Sequence, residues 1–384
     1  MNPDVAIVGA GLAGLALARA LRGLSVALIA PRRPAAPPSG FDARVYAITP
    51  GNAAFLTGLR VWQALAPERV TPVRTMRVFG DDGASVLEFD AYRAGASELA
   101  WIVEDGLLQE ALWRSLDARD SLAVLAPAQC TRLELGPRDA QITLEDGREL
   151  RANLVVGADG ARSRVREQAG IAVIDTPYAQ SAVVANLACG RAHRNTAFQW
   201  FQRGPVLALL PLPGDHVSMV WSTGEAQAAQ LLALAPDALC SAVAAASGGA
   251  LGELGLVSAP RAFPLLRLSA RRMVAPRVAL LGDAAHVIHP LAGQGANLGL
   301  QDARALAAVL SAREPQRNPG EIGLLRRFER ARARDLLAMD ATVHGLYRLF
   351  GAAAGPLARL RNTGLNLADR LPVLKNLLIR QAMA

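Results

Sequence analysis

The sequence predicts an α/β protein with a mostly antiparallel sheet inserted into it, and three observations carry that reading. The β-branched strand Val5 to Val8 runs straight into Gly9-Ala10-Gly11-Leu12-Ala13-Gly14 and then into an amphipathic helix. Two more short apolar strands, Leu154 to Gly157 and Val278 to Leu281, each end by presenting an aspartate beside a glycine, Asp159 and Asp283. Between about 175 and 264 the pattern changes to alternating strands. Ligands of open α/β sheets gather beyond the carboxyl ends of parallel strands, so a glycine loop and two strand-end aspartates together describe a cofactor crevice.

Length and composition agree. At 384 residues the chain suits two closely joined domains. With 52% hydrophobic and 19% charged residues it reads as a soluble globular enzyme. Cys130, Cys189 and Cys240 are odd in number and widely spaced, which indicates neither a disulfide framework nor a zinc site and suits a reducing, cytoplasmic setting. The run Val5 to Ala18 lacks a basic leader and is broken by three glycines, so it reads as part of the fold and not as a signal peptide. The net charge of +8 is concentrated at the end: Ala341 to Ala384 carries six basic residues against one acid.

In chain order, a GxGxxG is informative here because it sits between a strand and a helix reaching about Arg22, with a second strand at Val26 to Ala30. Gly9 permits the tight turn, Gly11 lets the backbone approach a pyrophosphate, and Gly14 lets the helix lie close to the strand. At the end of the second strand, where a dinucleotide site of this type offers an acid to the ribose, the chain reads Ala30-Pro31-Arg32-Arg33; the ribose must be held another way, with Arg32 and Arg33 as candidates. Helices are expected over Ala54 to Ala66 and Glu104 to Arg119, and a hairpin over Thr75 to Phe79 and Val86 to Phe89. Strand pairs follow at Leu133 to Leu135 with Gln141 to Leu144, and then Ala182 to Leu187, Thr196 to Gln202, Val206 to Leu210 and Val217 to Trp221, interrupted by a helix at Gln230 to Ala246. Trp200, Phe201 and Trp221 are candidates for lining a pocket under this sheet or for plain core. The densest run of special residues is Arg277 to Asp302, where Gly293, Gln294 and Gly295 open a helix and leave bare N–H groups at its positive end. His286 and His289 stand three apart without supporting ligands, so no metal site is expected.

Three motifs, GAGLAG (Gly9 to Gly14), GADGARSRVR (Gly157 to Arg166) and GDAAHVIHPLAGQGANLGLQDA (Gly282 to Ala303), closely resemble the FAD-dependent aromatic monooxygenases. The wording around HPLAGQG, together with FDARVYAI (Phe41 to Ile48) and GPVLALLPLPGDHVSMVW (Gly204 to Trp221), resembles the ubiquinone-biosynthesis hydroxylase branch. The resemblance covers Met1 to about Tyr347. It implies an FAD-binding Rossmann-like domain of the glutathione-reductase and p-hydroxybenzoate-hydroxylase type, over residues 1–72, 95–175 and 265–340. It implies a substrate domain over 73–94 and 176–264, followed by a basic helical tail over 341–384.

Carried over residue by residue, the resemblance places the FAD pyrophosphate at Gly9, Gly11, Leu12, Ala13 and Gly14. It brings Arg44 and Gln109 to the phosphate and ribityl groups, leaves Arg33 as a cofactor-binding candidate for the adenosine ribose, and ties Asp159 to FAD and the passing nicotinamide nucleotide. Asp283 would hold the ribityl chain, and Pro290, Gly293, Gly295, Ala296 and Asn297 the isoalloxazine ring. From the residues alone Arg44 is an ordinary surface arginine. No second GxGxxG occurs, so NAD(P)H is expected as a transient co-substrate. The implied reaction is hydroxylation of a polyprenylated phenol by dioxygen through a flavin C4a-hydroperoxide, without a side-chain acid or base for oxygen transfer. Expected partners are that phenol, dioxygen, other quinone-biosynthesis proteins and, through the basic tail, the inner face of a membrane; nucleic acid is not among them. The tail equally suits a helix packed on its own protein. Competing readings are a soluble hydroxylase of small aromatics and a non-catalytic flavoprotein subunit.

Overall fold

The structure, a computed structural model, describes residues 2–82, 85–202, 204–288 and 294–351. Its first layer is a six-stranded sheet in the order Val274–Ala275, Val278–Leu280, Leu154–Gly157, Val5–Val8, Val26–Ile29 and Leu122–Leu125. All neighbours are parallel except the first pair. The inner strands are continuous apolar runs because they share one core with helices such as Leu12–Ala20 and Gly295–Ser311 and with the small antiparallel sheet Cys130–Leu135, Ala140–Leu144 and Glu149–Ala152, and every residue of Val5–Val8, Val26–Ile29 and Leu154–Gly157 is buried. Val8 pairs with Gly157 and Gly157 with Leu280, so the three strands singled out by their glycine or aspartate endings lie side by side and open at one edge.

The second layer is a nine-stranded, mostly antiparallel sheet. It runs from His286–Val287 through Arg261–Ala270, Val173–Cys189, His216–Gly224, Val206–Leu212 and Thr196–Phe201 to the hairpin Thr75–Phe79 and Val86–Asp90, with Leu254–Leu256 paired to Val173–Cys189. Thr196–Phe201 meets Thr75–Phe79 in parallel, which is how the early hairpin joins a sheet built mainly from later sequence. Period-2 alternation sorts its side chains. Val183, Ala185, Phe198, Trp200, Leu207, Leu209, Met219 and Trp221 form a core with the helices Glu225–Ala233 and Pro236–Ala246. The opposite face looks back toward the first layer.

Several helices are shorter than their hydrophobic pattern. The stretch expected over Ala54 to Ala66 is a helix at Pro50–Gly58 and a 3-10 turn at Trp62–Ala64, because Arg60 between them takes a left-handed φ of 60°. Gln230 to Ala246 divides at Pro236, which starts a new helix where its missing N–H costs nothing. Asp105–Ser115 ends in a 3-10 turn, Leu116–Ala118. At the C-terminal side no break occurs at 341; the helix Ile322–Gly351 runs through it. Leu324, Leu325 and Phe328 of that helix are fully buried against the first layer, and Asp340 pairs with Arg267 of the second at 2.6 Å, so one helix ties the two layers together. Among the described residues no helix is long and apolar enough to cross a membrane. Residues beyond Gly351, which carry most of the basic tail, lie outside the described residues.

Candidate functional site

Two adjoining cavities occupy the edge where the three strands open. The first, about 910 Å³, is lined by Gly9, Gly11, Asp159 and, at its rim, Arg32, Arg33, Arg162, Arg164 and Arg261. The second, about 620 Å³, lies between the layers. Gly11, Ala43, Asp105, Gln109, Ala158 and Gly160 line both, so the two form one slot with a cationic end and an apolar end.

The glycine loop is shaped by contact distances. Gly9 has φ +110°, and a Cβ there would stand 2.2 Å from the Ala158 carbonyl oxygen. A Cβ on Gly14 would stand 2.1 Å from the Gly9 oxygen, so Gly14 is a packing position and lines neither cavity. Gly11 is different: a Cβ would meet no protein atom within 4 Å and would project into the slot. We therefore expect Gly9→Ala to destabilise the FAD-free chain, and Gly11→Ala to leave its thermal midpoint within about 1 °C while weakening FAD binding. Thermal melts of both FAD-free variants, with flavin titrations, check this; equal loss of stability in the two would contradict it.

Around the junction, Arg44 lies 3.8 Å from Asp105 and its guanidinium sits 4.8 Å over the Phe263 ring. Burial works against its charge, but Tyr46, Asp105 and Asp283 outweigh burial and raise the Arg44 pKa. Burial pushes the Asp105 carboxyl up, opposed by a hydrogen bond donated from the Gln109 amide at 2.5 Å and by Arg44. Burial likewise raises the Tyr46 phenol, so Tyr46 is a neutral donor at physiological pH. Asp283 faces the slot; confinement between protein walls raises its carboxyl pKa, and His286 and Arg44 pull it back. Asp159 accepts from the backbone N–H of Arg164 and Val165 through Oδ2, while its buried Oδ1 has no partner among the described residues.

At the apolar end, the helix Gly295–Ser311 points its N-terminus at the slot. Gln294 is its N-cap without a side-chain cap bond, its first turn holds no acid, and Gln294, Gly295 and Ala296 line the cavity. Such a terminus is worth about 0.3–1 kcal/mol to a nearby anion. The expected positions Pro290 and Gly293, like His289, lie outside the described residues.

Some expectations need correction. Asn297 does not line the slot: it is fully buried, accepting from the Thr49 N–H and the Asn52 amide and donating to the Ala47 carbonyl, because the third residue of the helix turns inward. Of the three aromatic candidates, Trp200 and Trp221 take the core alternative, Trp200 stacking on Phe79 at 5.1 Å and on Phe198 at 5.7 Å, while Phe201 packs with Val78, Leu87 and Val206 beside the cavity-lining Met76 and Phe89. Ala30 is fully buried, and Arg32 and Arg33 lie at the rim, with Arg33 held by Glu110 at 3.2 Å.

Asp302 is the residue that sequence reasoning passed over. It is fully buried and accepts from the Gly282 N–H at 2.9 Å, from Arg332 Nε at 2.7 Å, and pairs with His286 Nε2 at 2.7 Å. The His286 ring, at which no metal was expected, is thus paired with a carboxylate. Arg332 comes from another helix, 30 residues on, and no local spacing signals it. Arg166 is a second such link, donating to the Ala284 and Ala161 carbonyls and so joining the Asp159 and Asp283 loops.

An FAD molecule suits these residues: a glycine path open at Gly11, arginines at one end, an unpaired carboxylate oxygen on Asp159 and an exposed carboxylate on Asp283. Comparison with known proteins points the same way. Residues 2–336 match the FAD binding domain family. The chain is 37% identical to the ubiquinone hydroxylase UbiL of Rhodospirillum rubrum, over 99% of this chain and 89% of that one. It is 36% identical to the 3-demethoxyubiquinol 3-hydroxylase of Escherichia coli, over 99% and 98%. With the human mitochondrial ubiquinone biosynthesis monooxygenase COQ6 it shares 32%, over 97% and 90%. Among solved structures, PqsL of Pseudomonas aeruginosa, a probable FAD-dependent monooxygenase, superposes with a TM-score of 0.79 at 24% identity, covering 95% of this chain and 99% of PqsL.

Proposed function

The chain belongs to the FAD-dependent monooxygenases, in the branch of the ubiquinone hydroxylases, and from that premise we propose that it hydroxylates the ring of a polyprenylated phenol on the way to ubiquinone. The observation that carries the reading is the slot itself, in which a cationic, glycine-lined end continues into an apolar end roofed by the second layer. Bound FAD, reduced by NAD(P)H, supplies the chemistry that activates dioxygen. The chain supplies position, charge and dryness.

In this reading residues 1–72, 95–175 and 265–340 carry FAD, and 73–94 with 176–264 roof the substrate. Gly9, Gly11 and Gly14 bring the helix start at Leu12 and Ala13 up to the pyrophosphate. Arg44 and Gln109 meet phosphate and ribityl groups, Arg33 the adenosine ribose, and Asp159 and Asp283 accept from hydroxyls. The N–H groups of Gly295 and Ala296 face the flavin ring and favour negative charge on it; Pro290 and Gly293, which the resemblance assigns to the same ring, lie outside the described residues. Asn297 acts as the strut that aims this helix. The apolar roof excludes water, and no side-chain acid or base is needed for oxygen transfer.

The basic stretch from Ala341 onward makes peripheral contact with an anionic membrane surface, where a polyprenyl substrate resides. Deletion of the gene is expected to accumulate one quinone precursor lacking a ring hydroxyl, read by mass spectrometry of lipid extracts, with the wild-type protein found in the membrane fraction. An unchanged quinone profile would overturn the reading. Turnover of water-soluble phenols without that phenotype would favour a small-aromatic hydroxylase instead.

A further inference from the structure

We infer that Gln199 is the specificity residue of the roof, hydrogen-bonding an oxygen substituent of the substrate ring and so setting which edge of the ring faces the flavin; this rests on the function proposed above. Alternate residues of each roof strand face the slot: Ala182 and Val184, Ala197 and Gln199, Ala208 and Leu210, Phe263 and Leu265. Three of these are alanines, which leaves room for a ring between the layers. Among the slot-facing side chains of the nine-stranded sheet that are described, Gln199 alone is polar.

Its environment makes that polarity costly. Gln199 is 5% exposed, on a strand flanked in register by Val78 and Ala208. None of the described residues hydrogen-bonds its side-chain amide, although polar groups in apolar walls are ordinarily paired. The residues before and after it, Phe198 and Trp200, turn into the aromatic core behind the sheet and fix the strand's facing. The amide is therefore held at one place in an apolar wall and its partner must come from the slot. A primary amide both accepts from a phenol O–H and donates to an ether or carbonyl oxygen, so it reads oxygen-bearing positions on a ring whose remaining edge is apolar.

The test titrates FAD-loaded full-length protein with 2-geranylphenol and with geranylbenzene, which differ by the hydroxyl alone, following the flavin absorbance change. Wild type is expected to bind the phenol about tenfold or more tightly. In Gln199→Leu, and in Gln199→Met, which keeps the side-chain length, the gap should close to about twofold through loss of phenol affinity, geranylbenzene binding being unchanged. Absence of the gap in wild type, or its survival in the variants, overturns the inference. The wild-type arm decides even where a variant loses flavin. The functional reading fails separately, on the quinone profile, so the two failures are distinguishable.

Discussion

Asp302→Ala should cost about 3–5 kcal/mol of stability, because removing one partner of a buried ion pair strands the others. Arg332 is 3% exposed and would keep its charge without the carboxylate that Nε contacts at 2.7 Å. His286 would lose its 2.7 Å partner and the Gly282 N–H its acceptor. Since Gly282 precedes Asp283 directly, FAD retention should fall as well. Thermal unfolding of the FAD-free variant is the measurement, and a midpoint within about 2 °C of wild type would count against this account.

The same carboxylate sets an acid limit. Burial alone would raise the Asp302 pKa, but the attractions of His286 and Arg332 overcome it and the net direction is downward. A carboxyl depressed in the folded state contributes stability that is fully present above its unfolded value, near the ordinary 3.8, and is lost as pH falls through the lower folded value. Acid unfolding of wild type should therefore steepen below about pH 4. Asp302→Asn should flatten that limb.

Asp283→Ala is expected to act on the cofactor and not on the fold. Asp283 faces the slot, and its side chain is not among the hydrogen-bond partners of Asp302, which are the Gly282 N–H, His286 and Arg332. A carboxylate accepting from ligand hydroxyls is worth about 1.5–3 kcal/mol, roughly a tenfold to 150-fold loss in FAD affinity when removed. The purified variant should be colourless where wild type is yellow, while FAD-free melts of the two coincide. Full flavin occupancy in Asp283→Ala would refute the role given to this residue.

These two aspartates mark where reading the chain succeeds and where it stops. Asp283 was legible because its signal is local: an apolar strand, a glycine turn and an acid within six residues, next to a glycine-opened helix. The same holds for the GAGLAG loop and for Asp159, and parallel pairing then places all three at one edge. The inward turn of Asn297, and the choice of core over pocket for Trp200 and Trp221, were not legible because composition does not say which way a helix's first turn or a strand's pleat faces. One residue of register exchanges the two faces of a strand, so Gln199 and Trp200, adjacent in sequence, go to the slot and to the core.

By itself, then, the sequence determined the strand–glycine–helix unit, the two strand-end acids, the inserted sheet and the family, since each is written in short-range spacing and backbone preference. Only the tertiary structure decided that Asp302 is a buried anchor for His286 and Arg332, that Arg166 joins the two aspartate loops, and that one amide stands in an otherwise apolar roof. Those facts depend on contacts between elements far apart along the chain, where burial makes an ion pair or an unpaired amide matter, and neither hydrophobic periodicity nor a motif encodes such contacts.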